Sequence, residues 1–126
     1  MKRSSAKPAV VLVAHGSRAA GFDRPVKRLA ASLRRDGRYH SVHVAYLEIT
    51  APDVATAIGQ ALSSGASSVR VLPYFLLGGR HVQEDLPRLC ARARVLHRGA
   101  DIKLCPYLGF HEKIVSVVHE RLRRPF

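Results

Sequence analysis

The sequence predicts an α/β fold, a four-stranded parallel sheet with helices on both faces. Four apolar, β-branched segments alternate with four segments in which apolar residues recur at helical spacing. Such alternation is typical of right-handed crossovers between parallel strands. The first apolar segment, residues 9–14, is a continuous run, as expected for a strand covered on both sides. Because 126 residues suit one domain, we expect a single domain over residues 1–126 with a flexible basic start, residues 1–8.

The first half of the chain predicts two strand–helix pairs. After the first strand, apolar residues at helical spacing indicate a helix over residues 22–35. The second strand covers residues 41–47. Residues 50–53, which include a proline and an acid, are typical of a helix start, and this second helix ends near residue 64.

The second half predicts two more pairs. A third strand over residues 68–75 leads through a Gly-Gly loop into a helix that begins at residue 82 or 86 and ends at 97. Pro87 indicates that the regular part of this helix starts close to that position. The fourth strand covers residues 101–105. The last helix covers residues 110–123, and its apolar stripe consists of Ile114, Val117, Val118 and Leu122.

The net charge of +12 is consistent with several partners. Nucleic acid attracts Lys and Arg through its phosphates, and a small polyanionic ligand is steered by the same field. An arginine-rich codon bias would also produce a solvated basic surface. With four Tyr, four Phe and no Trp, an aromatic platform for single-stranded nucleic acid is poorly supported.

Two further features bear on the compartment. No apolar run approaches the roughly 18 residues of a membrane-spanning helix, and the run at 9–14 is too short for a typical signal-peptide core. We therefore expect a cytoplasmic protein. Cys90 and Cys105 form no CxxC motif, and in that compartment we expect two reduced thiols rather than a disulfide.

Three chemically active side chains follow the predicted strands. His15 comes directly after the first strand, Glu48 directly after the second, and His81 a few residues after the third. Open parallel sheets bind ligands beyond the carboxyl ends of their strands, so these residues are expected on one edge of the sheet. They could ligate a borderline metal such as Co²⁺, Fe²⁺, Ni²⁺ or Zn²⁺, or move protons near neutral pH.

Structural roles for these residues remain open at this point. His15 could hydrogen-bond a loop carbonyl, and Glu48 could cap the second helix or pair with an arginine. Gly16, Gly78 and Gly79 would permit close approach to a flat ligand, but they would equally serve turns.

The segments around these residues are Val-Ala-His15-Gly-Ser-Arg18, then Leu47-Glu48 followed by Pro52, then the long run Leu72-Pro-Tyr-Phe-Leu-Leu-Gly-Gly-Arg-His-Val-Gln-Glu-Asp-Leu-Pro87. Together they resemble the short sirohydrochlorin chelatases of the CbiX and SirB type. The third segment is the most specific, because a buried strand, a glycine turn, a histidine and a helix start coincide in it. The resemblance extends over residues 9–122.

The resemblance implies a chelatase fold, a flavodoxin-like βαβ arrangement, and insertion of Co²⁺ or Fe²⁺ into sirohydrochlorin for cobalamin or sirohaem synthesis. A related short form inserts Ni²⁺. The metal is then a substrate, and no permanent cofactor is expected. The anionic tetrapyrrole would account for the basic surface. Longer relatives contain two such domains, so a single copy implies a homodimer with the tetrapyrrole between subunits.

The resemblance also implies roles for residues. His15 and His81 would bind the incoming metal and accept pyrrole protons, and Glu48 would assist proton removal or metal delivery. The substrate is expected to contact Arg18, Gly78, Gly79, Arg80 and His111. Structural or surface positions are expected for His40 and His43 at the opposite edge and for His97 and His119 near helix ends.

Three other classes of protein compete with this interpretation. A histidine phosphatase would need an arginine immediately before the histidine, and Ala14 stands there. A non-catalytic metal- or tetrapyrrole-binding protein could keep the same fold without turnover. A nucleic-acid-binding domain would show steeply salt-dependent binding.

Overall fold

Strands and helices alternate along the chain as predicted. The computed structural model describes residues 6–126, except for the side chain of His81, so residues 1–5 of the expected flexible start lie outside the described part. The elements are β1 (Ala9–Ala14), α1 (Arg24–Asp36), β2 (Val42–Tyr46), α2 (Val54–Ser63), β3 (Ser68–Pro73), a π-helical turn (His81–Asp85), α3 (Leu86–Leu96), β4 (Asp101–Leu104) and α4 (Glu112–Leu122).

The four strands form one parallel sheet in the order β2-β1-β3-β4. β1 pairs with β2 on one side, where Val10 lies opposite Val42, and with β3 on the other, where Val10 lies opposite Arg70. β3 then pairs with the edge strand β4. All carboxyl ends therefore meet at the same edge of the sheet, which confirms the predicted sheet architecture.

Helices cover both faces of the sheet. On one face α2 and α3 pack over β1 and β3 in a core that includes Val11, Val71 and Leu86, each fully or nearly fully buried. On the other face α1 places Val26 and Ala30 against Val10, Leu12 and Val42. The apolar area that these contacts remove from water is the main favourable term in folding.

The last helix departs from the expected arrangement. Although α4 has the predicted apolar stripe, none of its residues is buried, and Leu122 is 71% exposed. The preceding segment is attached at the carboxyl edge, where the Cys105 N–H donates to the Val71 carbonyl (2.8 Å) and the Leu108 N–H donates to the Phe75 carbonyl (3.1 Å). α4 begins beyond this attachment and makes few contacts with the sheet.

Two expectations about the environment can be compared with the structure. Both cysteines are free thiols, as predicted, and burial raises the pKa of the Cys90 thiol. Within residues 6–126, the helices are too short or too polar to cross a lipid bilayer.

A hydrogen bond joins the start of α1 to the end of β2. Tyr46 is 3% exposed, and its hydroxyl donates to Asp23 Oδ2 at 2.6 Å. Lys27 Nζ lies 3.2 Å from the same oxygen. Burial, followed by this hydrogen bond, raises the pKa of Tyr46 to about 12. The hydrogen bond from Tyr46 lowers the pKa of Asp23.

Replacing Tyr46 by Phe tests this bond through its pH dependence. A raised folded-state pKa stabilises the fold below the unfolded value of about 10, and this contribution is lost as pH rises toward about 12. We expect wild type to exceed Tyr46→Phe by about 1–2 kcal/mol in unfolding free energy at pH 8. Urea unfolding between pH 8 and 11.5 should show this difference shrinking above pH 10, and a constant difference would contradict the assignment.

Candidate active site at the carboxyl edge of the sheet

His15 leaves the end of β1 and is exposed at the carboxyl edge. Its imidazole meets the ring of Phe75 in a T-shaped contact with a centroid separation of 4.6 Å and an interplanar angle of 65°. Phe75 follows β3, and the adjacent Tyr74 N–H donates to the Val13 carbonyl at 2.9 Å. The neighbouring strand therefore supplies an aromatic edge that orients the imidazole.

Glu48 lies beside His15 because the pairing of β1 with β2 continues past the strands. The Leu47 N–H donates to the Ala14 carbonyl (2.9 Å), and the Glu48 N–H donates to the His15 carbonyl (3.1 Å). The Glu48 side chain is exposed and has no ion-pair partner in the described part of the chain. Asp53, rather than Glu48, caps α2, since its carboxylate accepts the Thr56 N–H at 2.8 Å. The structural alternatives for Glu48, a helix cap or an arginine pair, are therefore absent among these residues.

Thr50 and Gly16 hold the two loops together. The Thr50 hydroxyl oxygen accepts the Ser17 N–H and donates to the Ser17 carbonyl, both at 3.1 Å. Gly16 has φ of +98°, and a Cβ at this position would lie 1.9 Å from the Glu48 carbonyl oxygen. Gly16 is thus required by the contact between loops, which accounts for it without a ligand.

The turn after Glu48 contains a backbone conformation that is rare for a β-branched residue. Ile49 has φ of +69°, and the Thr50 N–H donates to the Glu48 carbonyl at 2.7 Å. A hydrogen bond over three residues with a positive central φ describes a γ-turn, whose strain must be compensated by the surroundings. Here Thr50 supplies the compensation through its two bonds to Ser17.

His81 begins the π-helical turn between β3 and α3. The N–H groups of Val82 and Gln83 both donate to the Gly79 carbonyl, at 3.1 and 3.0 Å. Short π-helical turns of this kind are frequent at functional sites. The side chain of His81 lies outside the described part, so its role as a ligand stays a prediction. Among the residues that are described, no group of three or more His, Cys, Asp or Glu side chains could hold a metal ion.

The two glycines before His81 have different reasons to be glycine. A Cβ on Gly78 would lie 2.6 Å from the hydroxyl oxygen of Tyr107, so Gly78 is needed for that packing contact. A Cβ on Gly79 would meet no atom within 4 Å. Of these two glycines, Gly79 is the one that leaves space that a ligand could occupy.

The predicted substrate-contact side chains lie around this edge. The Arg80 side chain is 81% exposed, with its Nε 4.0 Å from Glu84 Oε1. Arg18 is exposed and makes no ion pair within the described chain. His111 caps α4, where its Nδ1 accepts the Lys113 N–H at 3.1 Å. Their contact with a substrate remains a prediction.

Sequence reasoning missed an apolar surface on the same edge. Ile49, Leu76 and Leu77 are 57%, 56% and 83% exposed, in the loops that follow β2 and β3. The signal for it was present, since a Leu-Leu pair stands between a buried strand and Gly-Gly. Exposed leucines beside titratable groups are typical of a binding surface for an apolar ligand with polar substituents.

Comparison with known proteins agrees with this geometry. The family model described as CbiX matches residues 9–125. The sirohydrochlorin cobaltochelatase of Saccharolobus solfataricus is 30% identical over 124 residues, which covers 93% of this chain and 94% of the relative. The chloroplastic sirohydrochlorin ferrochelatase of Arabidopsis thaliana is 29% identical over 114 residues, 90% of this chain and 51% of the relative.

A solved structure, the sirohydrochlorin chelatase SirB from Bacillus subtilis subspecies spizizenii in complex with cobalt, superimposes with a TM-score of 0.85 at 25% identity. The match covers 93% of this chain and 50% of SirB. The chain therefore spans about half the length of SirB and of the Arabidopsis relative.

The fold and its edge define a doubly wound α/β protein with a histidine and a carboxylate exposed at the ligand-binding end of the sheet. With the family model matching nearly the whole described chain, the protein belongs to the CbiX family.

The contact between the two loops predicts unequal effects for two glycine substitutions. Gly16→Ala places Cβ against a backbone oxygen at a positive φ, whereas Gly37→Ala, also at a positive φ (+72°), meets no atom within 4 Å. We expect Gly37→Ala to cost about 1 kcal/mol and Gly16→Ala about 2–4 kcal/mol of unfolding free energy. Urea unfolding measures both, and equal losses would show that the loops are not in close contact.

Proposed function

We propose that the protein is a sirohydrochlorin chelatase, which inserts Co²⁺ or Fe²⁺ into the tetrapyrrole for cobalamin or sirohaem synthesis. The observation that carries the proposal is the placement of His15 beside Glu48 on the exposed carboxyl edge of the sheet. Names of relatives, among them sirohydrochlorin cobaltochelatase and ferrochelatase, support the substrate. The metal is a substrate and the protein needs no permanent cofactor.

The chemistry requires groups that bind a metal weakly and take up protons. Insertion forms metal–nitrogen bonds and breaks the pyrrole N–H bonds, so each released proton needs an acceptor. A neutral imidazole of His15 coordinates the incoming ion and, once the ion has moved to the ring, accepts a proton. Glu48, whose backbone N–H donates to the His15 carbonyl, would supply a carboxylate acceptor on the same edge, and His81 would act as the second imidazole.

The substrate is flat, apolar at its faces and carboxylate-rich at its rim. Ile49, Leu76 and Leu77 provide exposed apolar area for a face of the ring. Arg18 and Arg80 would bind peripheral carboxylates, with Gly78 and His111 bordering the same site. The net charge of +12 steers a polyanion toward the protein.

The cleft is completed by a second copy of the chain. This chain corresponds to about half of SirB and of the Arabidopsis relative, while the Saccharolobus relative has nearly the same length. We infer a homodimer with the tetrapyrrole between the subunits, in which two exposed edges face each other across the ring.

Removing the imidazole of His15 tests the reaction directly. We expect wild type to accelerate the Co²⁺-dependent absorbance change of sirohydrochlorin above the enzyme-free rate, and His15→Ala to lose about 100-fold or more of that rate. His97→Ala, at the end of α3 and hence at the opposite edge, should keep wild-type activity. If wild type binds sirohydrochlorin without accelerating metallation, the protein is a tetrapyrrole-binding member of the family, and the chelatase proposal is wrong.

The open space at Gly79 gives a second test. Because a Cβ there meets no protein atom, Gly79→Ala should leave the unfolding free energy within about 0.5 kcal/mol of wild type. If the ring lies against this backbone, the same change should raise KM for sirohydrochlorin several-fold. Gly78→Ala serves as the comparison, since it should instead destabilise the fold through Tyr107. An unchanged KM in Gly79→Ala would place the ring elsewhere.

A further inference from the structure

The sheet has two lateral edges, formed by its outer strands β2 and β4. At the start of β2 the Ser41 carbonyl accepts the Val10 N–H at 2.8 Å, so Ser41 directs its carbonyl toward β1. The backbone groups of alternate residues point to opposite sides of a strand, so Val42, Val44 and Tyr46 direct theirs away from the sheet. Such an outward row of N–H and C=O groups is a template on which another strand can pair.

Arg34, in the last turn of α1, covers the first outward carbonyl of β2. Its Nε and Nη2 donate to the Val42 carbonyl oxygen at 3.2 and 2.7 Å. At the other end of the strand, the outward Tyr46 N–H donates to the Pro52 carbonyl at 2.9 Å. Val44 therefore lies between two positions whose outward groups are already bonded within the chain.

The lateral edge formed by β4 is covered in the same way. The Asp101 N–H donates to the Ser67 carbonyl at 3.1 Å, so Asp101 faces β3 and the next residue, Ile102, faces outward. Arg94 of α3 donates from its Nε to the Ile102 carbonyl at 2.8 Å. β4 is also only four residues long, and a short outer strand offers little to a pairing partner.

The two arginines occupy equivalent positions in the fold. Each lies in the last turn of the helix that precedes an outer strand, eight residues before the carbonyl that it binds. The helix that precedes the interior strand β3 is α2, and its last turn contains no basic residue. An arginine at this position thus accompanies the two strands that have a free side, and it is absent before an interior strand, whose two sides are both paired.

We propose that Arg34 and Arg94 close the lateral edges of the sheet to a further strand, and specifically to an outer strand of a second copy of this chain. A strand that pairs here has to displace a guanidinium from the carbonyl and then lie beside the released cation. Both arginine side chains are exposed, so an approaching strand meets them directly. The proposal does not depend on metal insertion, and its test is read without any activity measurement.

Replacing both arginines by alanine opens both lateral edges. We expect Arg34→Ala/Arg94→Ala to form species larger than the wild-type protein, with a several-fold faster rise in light scattering at the same concentration. The infrared amide I band should gain the component of intermolecular β-sheet. Arg28→Ala/Arg92→Ala is the matched control, since it removes the same charge from exposed positions of the same two helices. Gly37→Ala controls for lost stability, because Gly37 ends α1 and the change leaves both arginines in place.

Both controls should keep the size of the wild-type protein. Equally fast association of Arg28→Ala/Arg92→Ala would show that loss of charge causes the effect, and the proposal would be wrong. The same holds for Gly37→Ala, compared at an equal folded fraction, because partial unfolding would then be the cause. Arg34→Ala/Arg94→Ala that keeps the wild-type size would also refute the closure. Circular dichroism verifies each fold, and if the double variant does not fold, the two single variants are read in the same way, since each opens one lateral edge.

Discussion

The hydrogen bonds that β1 makes with the strands on both sides determine where His15 and Glu48 lie. β1 is nearly all buried and pairs in parallel with β2 and β3, so the chain segments that leave these strands emerge side by side. The pairing extends one step beyond the strands and joins the backbones of His15 and Glu48. On the other side it brings Phe75 against the imidazole. The site is therefore a product of strand register rather than of loop conformation alone.

This dependence on register explains how much could be predicted from sequence. Buried parallel strands produce continuous apolar runs, and their carboxyl ends must share an edge, so the sheet and the positions of His15 and Glu48 follow from pattern and topology. Sequence alone could not show that Asp53, rather than Glu48, caps α2, because both acids stand near the start of the helix. The two acids differ in one side-chain hydrogen bond, from the Thr56 N–H to Asp53, and this bond depends on local geometry that the residue types do not reveal.

Long-range contacts account for the other differences. The requirement for glycine at position 78 comes from Tyr107, which is distant in sequence and adjacent in space. The apolar stripe of α4 was predicted correctly as a helical pattern, but periodicity does not identify the surface that a stripe covers. The segment before α4 is held by hydrogen bonds to the Phe75 carbonyl, and no sequence pattern predicts these bonds. Local sequence patterns thus predicted the strands and helices, whereas the position of α4 could be read only from the tertiary structure.

The positive φ of Ile49 has a consequence for engineering of this protein. A β-branched residue in that conformation costs about 1–3 kcal/mol relative to a relaxed turn, so replacement by glycine is an obvious route to a more thermostable chain. The same turn, however, follows directly after Glu48, whose backbone N–H donates to the His15 carbonyl. Relaxing it would widen the range of directions that the carboxylate samples. If Glu48 acts in the proposed reaction, a gain in stability at Ile49 would be obtained at the expense of the alignment of Glu48, as is common where a strained backbone serves function.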